Sequence, residues 1–487
     1  MRGAYCWPQS AVAGETVTLC FGPNPGRVSV EIARQGFESI TVLSKSDLDS
    51  PRQVMPEDIS VIGADWVPCL EFQIKEEWSS GFYLVSVTDE DNRVSEAFFV
   101  VRGQRQQDAM LVLSTSTWAA YNHWGGPSFY MGSPKSSLCR PLPKGFLRKE
   151  DPMTHRIGQF MNWDEETQEE LNQQRYSPWC MAAGWANQEI LFVQWAEAQG
   201  IKLSYAISED LDRDPDLLAG VSLYLSVGHD EYWSLAMRDQ VESFIEAGGN
   251  AAFFSGNTSF WQARFENDRK TLISYKTNLE ADPHYDSHGA PELSTMWSDP
   301  LVGRPESEMT GVSFTYGGYA HMNNAPKGSG GYQVWDPDHW AFDSLEVSVG
   351  AGVGEEDITV AYECDGCPVE VVDGIPRAIK SKVPDGFKLL ATAPAHLWET
   401  REAPPMPDGY IGELNWVARR LGGEDTEAVR AQYSEGHAVM GNFSKGEGEV
   451  FTTGCTDWAY GLKQPDVSQI TRNVIDRFLT KKDQTRK

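Results

Sequence analysis

A strand that ends in a cluster of polar and aromatic side chains, with a helix directly behind it, constrains this chain more than any other feature. Residues 221–233 read VSLYLSVGHDEYW. The apolar run from Val221 to Val227 stops at Gly228, and the next five positions are His229, Asp230, Glu231, Tyr232 and Trp233. Ala236, Met237, Val241, Phe244 and Ile245 then recur along one face of a helical pattern. Strand, polar cluster and helix, in that order, place ligand-binding groups at the carboxyl edge of a parallel sheet. Asp230 or Ser234 could serve only as a helix cap. A cap needs one such residue, however, and here an imidazole and two carboxylates arrive together.

The alternation extends along the chain. AMLVLST (109–115), IKLSYAI (201–207) and NAAFFSG (250–256) read as buried strands. NQEILFVQWAEAQG (187–200) and MRDQVESFIEAGG (237–249) read as helices closed by glycine. The acidic SEDLDRDPD stretch after residue 207 reads as a loop. Residues of about 265–440 carry shorter β-like runs and read as an elaborated insertion, after which GEVFTTG (448–454) is a strand and VSQITRNVIDRFLTKK (467–482) a closing helix. The expectation for residues 105–487 is an α/β domain with a mostly parallel, doubly wound sheet. Residues 1–104 differ: ETVTLCF, GRVSVEIA, CLEFQI, GFYLVSVT and EAFFVV are short β-rich runs between turn residues. They predict an all-β, Ig-like sandwich domain, with a junction at Gly103–Gln107.

A chain of 487 residues exceeds one ordinary core, which fits this division. Its formal charge of −29 argues against nucleic acid or an anionic membrane as partner. The N-terminal MRGAYCWPQSAVAGE lacks the apolar core of a secretory signal, and no apolar run approaches bilayer length. The eight cysteines are scattered, and the lone C-x-x-C of Cys364 and Cys367 has no second pair at zinc-site spacing. A soluble, cytoplasmic protein is expected.

In a parallel sheet the segments after each strand meet in space. The first strand is followed by Tyr121, Asn122, His123, Trp124 and Tyr130; the third by the His229–Trp233 cluster. Asn257, Thr258 and Trp261 follow the fourth, and Asp457, Trp458 and Tyr460 the last. Aromatic walls with a few polar groups predict a small-molecule pocket. No nucleophile elbow, dinucleotide fingerprint or P-loop is present, and Cys455 lacks a neighbouring base, so covalent and nucleotide chemistry rank low. What remains is metal-assisted or general acid–base catalysis. Glu231 with tyrosine oxygens would make a hard site suited to oxidised iron or another Lewis acid, with His229 as base or water-orienting group. His284 and His288 are spaced i, i+4 but sit in poor helix sequence and read as loop residues.

Four segments carry a resemblance: STWAAYNHWGGPSFY, SVGHDEYWSLAMRDQVESFIEAGGNAAFFSGNT, AYECDG and GEVFTTGCTDWAYGL. Together they resemble the large-subunit catalytic region of the N,N-dimethylformamidases over residues 108–480. The resemblance implies a β-sandwich joined to an amidotransferase-like α/β domain. It also implies hydrolysis of a small N-substituted amide at a mononuclear iron (Fe3+) held by two tyrosinates and one glutamate. Carried onto this sequence, Glu231 of the H-x-E motif becomes a metal ligand beside His229. Tyr121 becomes the first tyrosine ligand, and Tyr130 the second, with Tyr176 as alternative. Glu363 of YECDG becomes the candidate base for the attacking water, and Asn257 a further catalytic candidate. Asn122, Trp124, Trp233, Trp261, Asp457 and Trp458 are the expected pocket residues. Asp230 stands where the resemblance implies a proline. A small partner subunit is implied as well, and a homo-oligomer is expected. The competing readings are a metal-independent carbohydrate- or polyol-active protein, since paired carboxylates and many indoles suit sugars, and a non-catalytic scaffold.

Overall fold

The computed structural model describes residues 2–103, 108–151, 153, 156, 176–285, 290–322, 325–400 and 412–480. Its main element is a nine-stranded sheet. In spatial order the strands are Ser204–Ile207, Ala109–Leu113, Leu223–His229, Asn250–Gly256, Gly448–Thr452, Gly436–Lys445, Lys388–Ala395, Tyr332–Val334 and Gly352–Val353. The pairings among the first five are parallel. Those among the rest are antiparallel.

This corrects the expected fold class. The sheet is mixed, several small mixed and antiparallel sheets accompany it, and the architecture is not a doubly wound, amidotransferase-like α/β fold with a mostly parallel sheet. The physical reason lies in GHAVMGNFSKGEGEVFT. Gly436–Lys445 and Gly448–Thr452 are joined through Gly446 and Glu447, with Lys445 opposite Gly448 and Gly446 at φ +58°. A two-residue connection permits only an antiparallel hairpin; a parallel return needs a crossover of a dozen residues. The runs expected to form a packed insertion therefore continue the sheet. The acidic stretch expected as a loop is the Ser208–Arg213 helix. The segment after Leu113 is also helical, Thr115–Tyr121.

The first hundred residues form a five-stranded sheet (Ser10–Ala11, Val94–Val101, Gly81–Asp89, Gly26–Gln35, Ile40–Ser50) and a three-stranded one (Gly3–Trp7, Thr16–Gly22, Leu70–Gln73). Alternation along Gly81–Asp89 separates two cores. Tyr83, Val85 and Val87 point into the core shared with Leu19, Phe21 and Phe72. Phe82 and Leu84 point the other way, into the core of the main sheet. Phe82 stacks on Trp185 with ring centroids 4.1 Å apart, and Phe98 meets Trp118 edge-on at 5.3 Å. A strand buried on both faces reads as a continuous apolar run, which is what GFYLVSV is. The expected junction at residues 104–107 lies outside the described residues.

The Leu235–Glu246 helix is capped by Ser234, whose side chain accepts the N–H of Met237 at 3.2 Å. Capping thus falls to Ser234 and leaves the 229–231 cluster free of that role. Among the described residues no helix is long and apolar enough to cross a membrane.

Candidate metal centre

Four separate segments are tied together at the carboxyl edge of the parallel strands. Leu223–His229 ends there, and alternation sends His229 and Glu231 to one side and Asp230 to the other. The Thr115–Tyr121 helix is fastened to this segment by hydroxyls. Thr117 Oγ1 accepts the N–H of Glu231 at 2.9 Å, and Ser116 Oγ donates to the carbonyl of Tyr232 at 2.6 Å. Glu363 arrives from the Glu363–Gly366 strand, which pairs with Ser313–Tyr319 rather than with the main sheet. It is held at the edge because Thr456 N–H donates to its carbonyl and Asp365 N–H to that of Gly454, at 3.0 and 2.9 Å.

His229, Glu231 and Glu363 are all buried, and one ligand atom from each lies within 4.8 Å of the others. Among the described residues this is the one cluster of histidine, cysteine or carboxylate groups arranged to hold a metal ion. His229 Nδ1 lies 2.8 Å from the carbonyl of Ala182, a contact that directs Nε2 toward the carboxylates. Nε2 stands 2.6 Å from Glu363 Oε2 and 3.3 Å from Glu231 Oε2, but the angles make neither contact a hydrogen bond. Burial alone would favour neutral imidazole; the facing Glu363 and Glu231 carboxylates outweigh it and push the His229 pKa well up. Burial likewise works against ionised Glu231, but His229, Lys276 and Tyr130 hold its pKa below the usual value.

Phenols surround the triad. Tyr130 Oη donates to Glu231 Oε1 and Oε2 at 2.8 and 2.7 Å and meets the Tyr232 hydroxyl at 3.0 Å. Tyr121 is buried and stacks on Tyr130 with centroids 4.1 Å apart, its ring 5.5 Å from that of His229. The pKa values of Tyr121, Tyr130, Tyr232 and Tyr362 are all raised well above the ordinary phenol value, by burial first and by neighbouring carboxylates second. Phenols so placed ionise only against a nearby cation. Asn257 Nδ2 donates to Glu363 Oε2 at 3.0 Å.

The donor set fits a hard cation. Its ligand atoms are carboxylate, phenol and imidazole, with no thiolate, and His229 Nε2 is a buried nitrogen without a hydrogen-bond partner.

Other expected site residues lie elsewhere. Tyr176 is half-buried under the Lys144 ammonium, which sits 4.7 Å above its ring. Asn122 closes a turn, donating to the carbonyl of Pro141 and accepting the N–H of Trp124. Trp124 packs against Trp66, in the segment before the Leu70–Gln73 strand, at 5.8 Å. Trp233 points with Asp230 into the core on the other side, its Nε1–H donating to Asp230 Oδ1 at 2.9 Å. Trp458 is a core side chain bonded to Thr471, and Asp457 pairs with Arg156 at 2.9 Å. Trp261 does border the cluster, across from Lys276 Nζ at 5.2 Å. His284 lies 3.8 Å from Glu292, and His288 is outside the described residues. All eight cysteines are free thiols; Cys367 packs among Val312 and Val439, not in a metal site.

Three residues that sequence reasoning passed over stand in the cluster. Tyr362 stands edge-on to His229 with ring centroids 5.5 Å apart, and burial and the Glu363 carboxylate raise the pKa of its phenol. Trp179 walls the phenols, 5.7 Å from Tyr121 and 5.5 Å from Tyr130. Lys276 Nζ lies 3.7 Å above the Tyr130 ring, in contact range of the Glu231 charge, and burial lowers its pKa. Tyr362 was visible beside Glu363 in AYECDG; nothing in the pattern around Lys276 marks it out.

The family model described as N,N-dimethylformamidase beta subunit-like, C-terminal, matches residues 29–472. The chain belongs to that family. The match covers nearly the whole sequence and includes every group of the cluster. No curated protein matches. Similar solved structures include two superoxide reductases (neelaredoxins) from Ignicoccus hospitalis, one of them a point variant. The variant is 11% identical, with 20% of this chain and 77% of that one covered, at a TM-score of 0.14. The other is 12% identical, with 21% and 78% covered, also at 0.14. At that score neither bears on fold or chemistry.

Proposed function

We propose that this dimethylformamidase-like protein hydrolyses a small N-substituted amide with the help of one metal ion, iron being the expected metal. The observation that carries this reading is the burial of an unpartnered imidazole nitrogen between two carboxylates, ringed by phenols, in a chain of this family. Glu231, Tyr130 and Tyr121 would hold the ion, with His229 and Glu363 beside it. A hard cation there supplies Lewis acidity toward an amide carbonyl.

The chain's own residues supply the remainder. Glu363 is the group to take a proton from the attacking water, as the buried carboxylate of the cluster not assigned to the ion, with its Oε2 2.6 Å from His229 Nε2. The Asn257 amide fixes the same oxygen. The proton is then available to the departing amine. Lys276 adds a buried positive charge beside Glu231, placed to offset negative charge developing on the substrate. Trp179 and Trp261 offer apolar faces for N-alkyl groups and keep bulk water out.

The test is a hydrolysis assay on N,N-dimethylformamide, N-methylformamide and their acetamide homologues, before and after chelation. The expected result is amine release from at least one of them, lost on chelation and restored by iron. Release that survives complete metal removal would overturn the metal-dependent reading. No observation favours a carbohydrate-active site: Glu231 and Glu363 are gathered on one imidazole nitrogen, not set across a space a sugar could fill.

A further inference from the structure

The Glu363–Gly366 strand carries a second carboxylate, Asp365, that meets the same turn as Glu363. Glu363 Oε2 accepts the side-chain amide of Asn257, while Asp365 Oδ2 accepts the backbone N–H of Thr258 at 3.0 Å. Asn257 has φ +49°, a left-handed conformation that asparagine adopts more readily than other side-chain-bearing residues and that the bonds around the turn select here. Space behind the turn is closed: a Cβ on Gly256 would lie 2.4 Å from Thr456 N and 2.5 Å from the Glu363 carbonyl oxygen. On its other flank hydroxyls hold the turn. Ser255 Oγ meets Thr258 Oγ1 at 2.9 Å, Ser226 Oγ donates to Ser255 Oγ at 2.9 Å, and Ser226 Oγ also reaches Asp230 Oδ2 at 2.7 Å.

Asp365 is fully buried, and its second oxygen, Oδ1, has no hydrogen-bond partner. A buried carboxyl with an empty acceptor costs stability, so a fold selected for stability alone would not keep one there. An acceptor for the Thr258 backbone N–H, on Oδ2, is what this residue provides that an apolar side chain would not. We propose that Asp365 is a positioning residue: by accepting the backbone N–H of Thr258 it holds the left-handed turn that aims the Asn257 side chain at Glu363. It acts through Asn257 and touches no reacting atom. The inference rests on the reading of Glu363 as the proton acceptor in amide hydrolysis.

The experiment compares Asp365→Ala, Asp365→Asn, Asn257→Ala and the double variant Asn257→Ala/Asp365→Ala, by crystal structures without substrate and by kinetics on the best amide found. Asparagine keeps a carbonyl acceptor for the Thr258 N–H, so Asp365→Asn is expected to retain the turn and most of the turnover. Asp365→Ala is expected to release Asn257 from its left-handed conformation and from Glu363. It should also lower kcat by about a hundredfold with little change in KM, as for a group displaced by about 1 Å. In the Asn257→Ala background Asp365→Ala should cost nothing further in kcat. If Asp365→Ala does not fold, Asp365→Ser, too short to span to the turn, takes its place. Losses that add in the double variant, or an Asp365→Ala structure with Asn257 still on Glu363, would overturn the assignment. If no amide is turned over by the unaltered protein, the functional reading fails, while the crystal structures still decide the role of Asp365.

Discussion

Two buried polar clusters stand at the same sheet edge, and they are built on opposite rules. Around Asp457 the charges are matched. Its Oδ2 accepts Arg156 at 2.9 Å, and its Oδ1 accepts Gln188 at 3.2 Å and Thr456 at 3.1 Å. The Arg156 guanidinium also donates to the carbonyls of Asp357 and Ile358 and lies 4.0 Å above the Tyr460 ring. Around Glu231 the charges are crowded, and atoms are left over: His229 Nε2, Asn257 Oδ1 and Asp365 Oδ1 have no hydrogen-bond partner. Polar atoms are left over in both clusters, Arg156 Nε and Tyr460 Oη included, so the contrast lies in the charges: a carboxylate paired with a guanidinium holds a fold together, and carboxylates crowded on one imidazole are retained for what they bind. The difference separates a structural pillar from a candidate reaction site, although both show Asp or Glu, tyrosine and tryptophan in sequence.

Exchanging one acid in each cluster for its amide gives the largest contrast. Glu231→Gln should reduce amide turnover by about 10³-fold or more, since it removes an ionised ligand worth several kcal/mol in the transition state. Its thermal stability should change little or rise. Asp457→Asn should do the reverse, costing about 3–5 kcal/mol of folding stability by leaving Arg156 buried and unpaired. Denaturant melts and steady-state kinetics on the two purified variants check both arms. Equal losses of activity and stability in the two variants would erase the distinction.

A smaller effect comes from Glu189, which lies between the clusters and feels the charges of both Asp230 and His229. Burial raises its pKa from 4.5 to about 8, against a backbone N–H, the Trp118 indole and the His229 charge, which favour the ionised form. The folded protein therefore keeps a proton that the unfolded chain gives up above pH 4.5. Its favourable contribution is complete below that pH and is lost as the pH rises toward 8. Against Glu189→Gln, the unaltered protein should lose a few degrees of Tm between about pH 5 and pH 8. A difference that stays flat with pH would count against a protonated Glu189. The smallest expected change is that of Tyr232→Phe, which removes one hydroxyl from Tyr130. We expect a cost of about 0.5–1.5 kcal/mol in stability and less than about a tenfold drop in kcat.

The same contrast explains what could be read from the chain. His229 and Glu231 were legible because they directly follow an apolar run that ends at Gly228, and Asn257 because it follows the neighbouring parallel strand. Glu363 came only through the family resemblance, since it rides on a strand outside the main sheet. Trp233, Asp457 and Trp458 were placed in the pocket by their adjacency to strand ends. Local turns beyond the strand ends carry all three into cores or into the Arg156 pair instead. Lys276 was missed because its approach to Tyr130 is a tertiary event in a stretch without periodicity. The fold class failed at one point: a two-residue turn after Lys445 reverses the sheet direction, and the antiparallel half that follows was read as an insertion.

The central claim is that buried oxygens from separate loops, beside one imidazole, hold a single cation. Elemental analysis of protein purified without added metal tests it most directly, run beside Asp457→Asn and a Tyr121→Phe/Glu231→Gln double variant. The account predicts one transition-metal ion per chain in the unaltered protein and in Asp457→Asn, and none in the double variant. An ion retained after both Tyr121 and Glu231 are altered, or fully active protein without any, would contradict it.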